Sequence, residues 1–176
     1  MRHNDDIEIL ISSDQIASAI AKLGETITRD FDGIDLIVIC VLKGSLLFTS
    51  DLIRHIDNSL DLDFVAVKSY YGSIISSGTV EIVQDVKASV EGKTVLLVED
   101  IADTGRTIDF LCKHLNQKGA SRISVCALLD KPSKREVEID LHYRGFEIED
   151  RFVIGYGLDF NEKYRNLPYI GVLSST

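Results

Sequence analysis

Positive charge, cysteine and long apolar segments are all scarce in this chain of 176 residues. The 19 Lys and Arg residues are outnumbered by 28 Asp and Glu residues, and the net charge of −9 argues against nucleic acid or an anionic membrane as partner. Cys40, Cys112 and Cys126 are far apart in apolar runs, so we expect reduced core residues rather than a disulfide framework or metal site. No apolar run approaches a membrane span, and the chain starts MRHNDDIEI, without the apolar core of a signal peptide. We therefore expect a cytoplasmic protein.

The most informative stretch is residues 95–107, VLLVEDIADTGRT. Its first four residues are apolar and predict a short buried strand, and the carboxylates of Glu99 and Asp100 follow where that strand should end. After a turn of small and hydroxyl-bearing residues, apolar residues at spacings of three and four predict an amphipathic helix: Ile108, Leu111, Cys112 and Leu115. This order of strand, acidic pair, turn and helix predicts an anion pocket beside two carboxylates.

The turn has the chemistry of a phosphate site. Backbone N–H groups at the start of a helix are unpaired and carry the positive end of the helix dipole, so a phosphate binds there readily. Thr104 and Thr107 add hydroxyl donors, and Gly105 lets the backbone approach a ligand closely. Glu99 and Asp100 would repel a phosphate, so they are better suited to sugar hydroxyls or a hard cation such as Mg²⁺.

A simpler interpretation of the same residues is structural. In it, Asp103 or Thr104 caps the helix and the acidic pair lies on a solvated loop. Capping accounts for one such residue, but not for two carboxylates at a strand end followed by Thr-Gly-Arg-Thr. Two other phosphate motifs are excluded. A P-loop needs glycine where Asp100 stands, and a dinucleotide fingerprint that begins at Gly155 needs glycine where Phe160 stands.

Apolar patterns elsewhere alternate between strands and helices. Helices are predicted at residues 14–30, behind a capping box of Ser12 and Gln15, and from 46 to about 55. Strands are predicted at residues 36–42, 63–68, 80–83, 122–129, 137–143, 152–154 and 169–173. The pattern indicates an α/β fold, a mostly parallel central sheet flanked by helices, in one domain over residues 1–176 with a small cap from the chain ends. Ligands bind at the carboxyl ends of such strands, where four candidates fall: Lys43, Glu99, Asp100 and Lys131.

Residues 95–107 resemble the phosphoribosyl-diphosphate (PRPP) signature of the type I phosphoribosyltransferases. From about residue 7 to 173 the chain is similar to the bacterial hypoxanthine-guanine members of that family. The resemblance implies the type I phosphoribosyltransferase fold and a site in which Glu99 and Asp100 hold the ribose and its Mg²⁺. The turn would bind the 5′-phosphate through Asp103, Thr104, Gly105, Arg106 and Thr107. Asp159 would bind a second Mg²⁺, and pyrophosphate would contact Lys43, Gly44 and Arg165, with a strained peptide expected after Leu42.

The resemblance also implies how the purine is bound. Asp103 would face N7 of the purine as general base or acid, and Lys131, in the string DKPSKR, would donate to the 6-oxo group. Phe152 would stack on the base while the Val153 backbone meets its edge. Without the resemblance, Lys131 is typical of a surface charge and Phe152 of a core aromatic residue.

A lid is expected over residues 70–79, which are rich in glycine and serine and have no periodicity. Ser69 and Tyr70 open this segment, and by resemblance it would exclude water while the reactive sugar forms. The lid sequence matches the family least.

The reaction implied by the resemblance is purine salvage. The 5-phosphoribosyl group would pass from PRPP to hypoxanthine or guanine, giving IMP or GMP and pyrophosphate, in a homo-oligomer that is a dimer or tetramer. Three alternatives stay open: a relative that prefers xanthine, a regulator on the same fold that controls RNA or DNA, and a module that only binds a sugar phosphate. The acidic balance and the complete acidic set argue against the regulator.

Overall fold

Strands and helices alternate along the chain in the order that a parallel sheet requires. The computed structural model describes residues 7–69 and 80–173. Within them the elements are β1 (Ile7–Ile11), α1 (Ser13–Asp30), β2 (Leu36–Leu42), α2 (Leu46–Leu52), β3 (Leu60–Ser69), β4 (Val80–Gln84), β5 (Thr94–Ala102), α3 (Arg106–Gln117), β6 (Arg122–Asp130), β7 (Tyr143–Glu147) and β8 (Ile170–Leu173). The predicted helix from 46 to about 55 changes to a 3₁₀ turn in its last three residues, Ile53–His55.

The main sheet has six strands in the order β4-β3-β2-β5-β6-β7. Neighbouring strands from β3 to β7 are parallel, whereas β4 runs antiparallel to β3. This arrangement confirms the predicted mostly parallel sheet flanked by helices. Parallel strands end at the same edge, so the loops that follow Leu42, Ala102 and Asp130 lie along one side of the sheet.

The central strand β2 is covered on both faces. Its sequence LIVICVL is a continuous apolar run rich in β-branched residues, and its first six residues are buried. Successive side chains point to opposite faces, so Leu36 and Val38 pack with the apolar residues of α1 and α2. Ile37 and Ile39 pack instead with the apolar face of α3. Because helices shield both faces, polar side chains gather at the strand ends.

Helix α1 begins at the predicted capping box. The Ser12 hydroxyl accepts a hydrogen bond from the Gln15 amide (3.3 Å), and the Gln15 side-chain oxygen accepts one from the Ser12 amide (2.9 Å). Two backbone donors that the helix itself leaves unpaired are thereby satisfied. The buried positions of the helix recur at helical spacing and confirm the predicted apolar face: Ile16, Ile20, Leu23 and Ile27.

The two ends of the described chain form a second, smaller sheet. Strands β1 and β8 pair antiparallel, with Ile7 opposite Leu173. A bridge between Ile154 and Gly171 ties the segment after β7 to this sheet. The predicted cap built from the chain ends is therefore confirmed.

The period-two pattern at residues 137–143 does not form the predicted strand. Tyr143 is the first residue of β7, but Val137 donates its amide hydrogen to the carbonyl of Thr104 (3.1 Å). Ile139 and Leu141 pack against a small apolar cluster beside α3. The alternation arises because an extended segment lies against the core without joining the sheet, so the prediction was wrong.

Two further strand predictions were wrong in extent. Residues 152–154 contribute a single bridge at Ile154 rather than a strand. Strand β5 continues past residue 98 to Ala102, so Glu99 and Asp100 lie within the C-terminal half of the strand. Glu99 pairs with Ala127 of β6. The backbone of both residues therefore belongs to a strand and not to a loop.

The three cysteines form no disulfide, as the sequence predicted. Cys40 and Cys126 are buried, Cys112 is half-buried, and all three are free thiols. Among residues 7–69 and 80–173, no helix combines the length and apolar character needed to cross a membrane.

Candidate active site

Strand β5 and helix α3 meet at a cavity of about 190 Å³. Five of the residues predicted to bind PRPP line it together with Ile101 and Ile108: Glu99, Asp103, Thr104, Gly105 and Thr107. Helix α3 starts at Arg106, so its first backbone N–H groups lie at the mouth of this cavity without intrahelical partners. Of the two carboxylates predicted beside this pocket, Glu99 lines the cavity and Asp100 does not.

Gly105 permits the turn between β5 and α3 for two reasons. Its φ of 86° lies in the left-handed region that disfavours other residues. A Cβ atom there would also press against the carbonyl oxygen of Val137 and the Arg135 side chain. Gly105 thus allows a close approach to Arg135 and Val137, and the predicted close approach to a ligand stays a prediction.

Glu99 is a buried carboxylate at the cavity wall. Its exposed fraction is 8%, and its Oε2 atom is buried with no hydrogen-bond partner among the described residues. Burial, reinforced by the negative charge of Asp100, raises the pKa of Glu99 well above its ordinary value. The alternative of a solvated acidic loop is excluded for this residue.

Asp100 is half-buried and lies against the loop after β2. Its Oδ1 atom accepts a hydrogen bond from the Ile101 amide (2.8 Å). Burial is the largest cause that raises the pKa of Asp100, to about 6. A Cβ atom added at Gly44 would overlap the Asp100 carboxylate, so the loop and the carboxylate are packed without intervening space. Gly44 therefore has a steric reason to be glycine.

Asp103 lines the cavity and carries one buried carboxylate oxygen, Oδ1, without a hydrogen-bond partner among the described residues. The N-cap position of α3 is Gly105, with no side-chain capping bond, so Asp103 is not the helix cap. Thr104 Oγ1 accepts a long hydrogen bond from the Arg106 amide (3.4 Å), which gives that hydroxyl a capping contribution. The capping interpretation fits Thr104 and fails for Asp103.

Arg106 points away from the cavity through its side chain. Its guanidinium pairs with Glu136, at 2.7 Å from Nε and 2.6 Å from Nη2. If Arg106 contacts the phosphate as predicted, the contact would therefore come from its backbone amide.

A second group of predicted residues surrounds Arg165. The Leu42–Lys43 peptide bond at the loop after β2 is cis. Arg165 pairs through Nη2 with Asp159 (2.7 Å) and donates from Nη1 to the carbonyl of Gly157 (2.8 Å). Glu162 bridges the two cations, because its carboxylate lies 3.2 Å from both Lys43 Nζ and Arg165 Nη2. Lys43 and Arg165 are thus brought together by a carboxylate that the sequence did not single out.

The donor set is compatible with Mg²⁺. Among residues 7–69 and 80–173, no group of three or more His, Cys, Asp and Glu side chains is arranged to hold a metal ion. Magnesium commonly takes only one or two protein carboxylates and completes its shell with water and substrate oxygens. Glu99, with its unpartnered Oε2, and the adjacent Asp100 meet that requirement, whereas the Asp159 carboxylate is engaged by Arg165.

Lys131 is buried at the end of β6. Its exposed fraction is 6%, its amide donates to the carbonyl of Ala102 (2.9 Å), and its ammonium forms no salt bridge with the described residues. The interpretation as an ordinary surface lysine is excluded. An ammonium without a carboxylate partner can donate to a neutral acceptor on a ligand.

The aromatic and lid positions have separate outcomes. Phe152 is 58% exposed and meets Phe160 edge to face at 5.7 Å, so it is not a core aromatic residue. Val153 is buried. Ser69 ends β3 opposite Val80 of β4, and Tyr70 lies outside the described residues.

Sequence reasoning missed three charged residues beside the site: Asp130, Arg135 and Glu162. Asp130 is buried and pairs with Arg135, which also contacts the Asp103 carbonyl. The signal for Arg135 was the string DKPSKR, where only Lys131 was given a role. Two larger grooves, of about 570 and 480 Å³, lie along α1 and contain none of the predicted site residues.

Comparison with known proteins agrees with this geometry. The family model described as phosphoribosyl transferase domain matches residues 8–161, and the chain belongs to this family. It is 47% identical over 174 residues to the hypoxanthine-guanine phosphoribosyltransferase of Bacillus subtilis, covering 98% of this chain and 96% of that protein. A crystal structure of a hypoxanthine phosphoribosyltransferase from Staphylococcus aureus superposes with a TM-score of 0.92 at 44% identity, covering 98% of this chain and 94% of that one.

Some relatives are much longer than this chain. It is 46% identical over 171 residues to the bifunctional protein TilS/HprT of Listeria monocytogenes, a match that covers 97% of this chain and 26% of that protein. The chain thus spans about a quarter of the length of these relatives. The resemblance inferred from residues 95–107 is confirmed by the family match.

Proposed function

We propose that this protein transfers the 5-phosphoribosyl group from PRPP to hypoxanthine or guanine, releasing pyrophosphate and giving IMP or GMP. One observation carries the proposal: the cavity at the start of α3 is lined by Glu99 and Asp103, each with a buried carboxylate oxygen that has no partner among the described residues. Unpaired buried carboxylates are costly unless a ligand satisfies them. A phosphorylated sugar offers both the anion and the hydroxyl groups that such a cavity can bind.

The two ends of PRPP would bind to the two groups of residues. The 5′-phosphate would lie at the N-terminus of α3, with Asp103, Thr104, Gly105, Arg106 and Thr107 around it. The ribose hydroxyls would meet Glu99 and Asp100. Lys43, Gly44 and Arg165 would contact the pyrophosphate, where two cations already lie 3.2 Å from one carboxylate.

Positive charge that builds on the sugar would be stabilised by Glu99 and Asp100. Burial raises the pKa of both carboxyl groups, because water is not available to solvate their charged forms. A nearby cation, such as an oxocarbenium-like sugar, would replace that solvation and interact strongly with the ionised carboxylates. When bound, Mg²⁺ would neutralise the departing pyrophosphate and orient the ribose hydroxyls. Glu99, Asp100 and Asp159 are the residues that would hold it, the last after exchange of its Arg165 partner.

The base would be recognised by Lys131, Phe152 and Val153. The ammonium of Lys131 would donate to the 6-oxo group, the exposed ring of Phe152 would stack on the purine, and the Val153 backbone would meet its edge. Asp103 would accept or share the purine proton near N7, which raises electron density on the attacking ring nitrogen. Ser69 and Tyr70 would be the first residues of the lid that is expected over this site.

We further propose one domain over residues 1–176, assembled into a homo-oligomer, either a dimer or a tetramer, in the cytoplasm. Nucleic acid and membranes are not among the proposed partners, in keeping with the net charge of −9. Static light scattering of the purified chain tests the oligomeric state.

A base panel tests the function. Purified protein is incubated with PRPP, Mg²⁺ and, separately, hypoxanthine, guanine, xanthine or adenine, and nucleotide and pyrophosphate are both quantified. Hypoxanthine and guanine should react and adenine should not, because its 6-amino group meets Lys131 donor to donor. A dominant xanthine rate would overturn the base assignment. Absence of transfer to every base, together with tight RNA binding, would overturn the enzyme assignment.

A further inference from the structure

One arginine links the loop after β6 to the turn that carries Asp103. Arg135 pairs through Nη2 with the Asp130 carboxylate and donates from Nη1 to the main-chain carbonyl of Asp103 at 2.9 Å. The side chains of Arg135 and Asp130 are only 19% and 6% exposed. A planar guanidinium with two of its donors engaged in a largely buried site fixes both partners in direction as well as distance.

Asp130 also has a second arginine partner. Arg144 donates from Nη1 to the other oxygen of Asp130 (3.0 Å), but it is 47% exposed and its further contact is Glu147, at 2.8 Å. The Asp130 carboxylate therefore pairs with two guanidinium groups. Of these two arginines, Arg135 is the one that also donates a hydrogen bond to Asp103. Arg144 is consequently a matched control for Arg135, because it shares the Asp130 contact and differs in the Asp103 contact.

The segment around Arg135 contacts the turn at several further points. The amides of Glu136 and Val137 both donate to the carbonyl of Thr104, at 3.0 and 3.1 Å. The Lys131 amide donates to the Ala102 carbonyl (2.9 Å). Residues 131–137 thus lie along the turn, and the residue proposed to recognise the base is joined by hydrogen bonds to the turn proposed to hold the sugar phosphate.

The side chain of Asp103 has no comparable support. Its Oδ1 atom is buried and unpaired among the described residues, so no protein donor orients that atom. Its main-chain carbonyl is held by Arg135. Arg135 therefore constrains the position of Asp103 through its main chain.

We propose that Arg135 is a positioning residue for the transfer reaction: it fixes the backbone of Asp103 so that the carboxylate faces the purine, and it couples the base loop to the phosphate turn. This inference rests on the proposed function. Small displacements of a reacting group lower rates steeply even when substrate still binds. Loss of the guanidinium should therefore lower kcat far more than it weakens PRPP binding.

Steady-state kinetics of four proteins test the inference: wild type, Arg135→Ala, Arg135→Lys and Arg144→Ala, with hypoxanthine and PRPP both varied. We expect Arg135→Ala to lower kcat by roughly 10–100-fold with the KM for PRPP changed by less than about threefold. Guanidinium chloride at a non-denaturing concentration should restore part of this kcat. Arg144→Ala should keep kcat within about threefold of wild type, since its mainly exposed ion pairs contribute little.

The conservative variant keeps the test decisive if Arg135→Ala does not fold. Arg135→Lys retains a positive charge beside Asp130 but lacks the paired donors, so kcat should still fall by roughly tenfold or more. Equal kcat values for the Arg135 and Arg144 variants would overturn the positioning role, as would a rise in the KM for PRPP as large as the fall in kcat. A wild-type protein that transfers nothing would instead overturn the proposed function and this inference with it.

Discussion

Burial separates Lys131 from the other lysine of the loop after β6. Lys131 is 6% exposed, whereas the side chain of Lys134 is 47% exposed and pairs with Asp150 at 2.9 Å. The Lys131 ammonium is a donor, for which the 6-oxo group of hypoxanthine or guanine supplies an acceptor and the 6-amino group of adenine does not. The two lysines should therefore respond differently to truncation.

Lys131→Ala should reduce the preference for hypoxanthine over adenine by roughly 10-fold or more, the usual worth of a hydrogen bond that the wrong substrate leaves unmade. The KM for PRPP should change by less than about threefold, because the pyrophosphate and phosphate contacts lie elsewhere. The measurement is kcat/KM for each base, with Lys134→Ala as the unaffected control. Equal losses in base selectivity and PRPP affinity would mean that Lys131 is a structural or phosphate contact.

Glu162 acts at the same scale through charge. Its carboxylate lies 3.2 Å from both Lys43 Nζ and Arg165 Nη2, the two cations proposed to hold pyrophosphate. These two partners lower the pKa of Glu162, Lys43 most strongly, so the group is ionised at neutral pH. An incoming pyrophosphate must compete with this carboxylate for both cations.

Glu162→Gln should therefore tighten pyrophosphate binding, by roughly 2–5-fold at low ionic strength. The inhibition constant of pyrophosphate against PRPP is the quantity to measure. Glu25→Gln, an equal change of charge at an exposed position of α1, is the control and should leave that constant unchanged. Weaker pyrophosphate inhibition in Glu162→Gln would indicate that Glu162 organises the two cations for the ligand rather than competing with it.

At the scale of the element, burial of the acidic pair Glu99 and Asp100 in β5 lowers the stability of the folded protein when these groups are ionised. Burial raises the pKa of Asp100 to about 6, so the folded state holds this proton more tightly than the unfolded chain does. Below about pH 4 both states are protonated and the carboxyl imposes little penalty. Between about pH 4 and pH 6 the unfolded chain releases this proton while the folded group retains it, so up to about 3 kcal/mol of stability is lost by the time the pH has risen through about 6.

Asp100→Asn should accordingly raise the free energy of unfolding by roughly 1–3 kcal/mol at pH 8 and by much less at pH 4. Urea denaturation at the two pH values, without Mg²⁺ or PRPP, measures the difference. Asp61→Asn, at an exposed position of β3, should change the free energy by less than about 0.5 kcal/mol at either pH. Equal stabilisation by Asp100→Asn at both pH values would contradict the assigned burial penalty.

Elements with a strong pattern were predictable from sequence. Residues 36–42 were predicted with the observed bounds of β2, because a long β-branched run has few alternatives to a buried strand. The segment 137–143 has an equally regular alternation, yet it packs as an extended loop with Val137 bound to Thr104. Alternation reports one buried face, and it does not report whether a neighbouring strand is present.

The candidate site was predictable where its residues are adjacent in the chain. Glu99, Asp103 and Thr107 lie within nine positions of one another and line one cavity. The contacts of Arg135 with Asp103 and of Glu162 with Lys43 span 32 and 119 positions. Charged residues in loops have no periodicity that encodes such partners, so these contacts required the fold.

At the scale of the whole molecule, a chain with a net charge of −9 is proposed to bind a strongly anionic substrate. Local chemistry resolves the conflict, since the average field is screened within about 10 Å at ordinary ionic strength while buried groups are not. Lys43, Lys131 and Arg165 supply positive charge at the open edge of the sheet, and burial disfavours the ionised forms of Glu99 and Asp100 until a cation arrives.

The most direct test of phosphoribosyl transfer at this site is the turnover of Asp103→Asn beside wild type, at saturating PRPP, Mg²⁺ and hypoxanthine. The amide keeps the size of the side chain and cannot take up the purine proton. We predict a turnover lower by roughly 10²–10⁴-fold, with the Kd of PRPP within about threefold of wild type in a separate equilibrium titration. Turnover equal to wild type in Asp103→Asn would contradict the assignment of this carboxylate and of the cavity it faces.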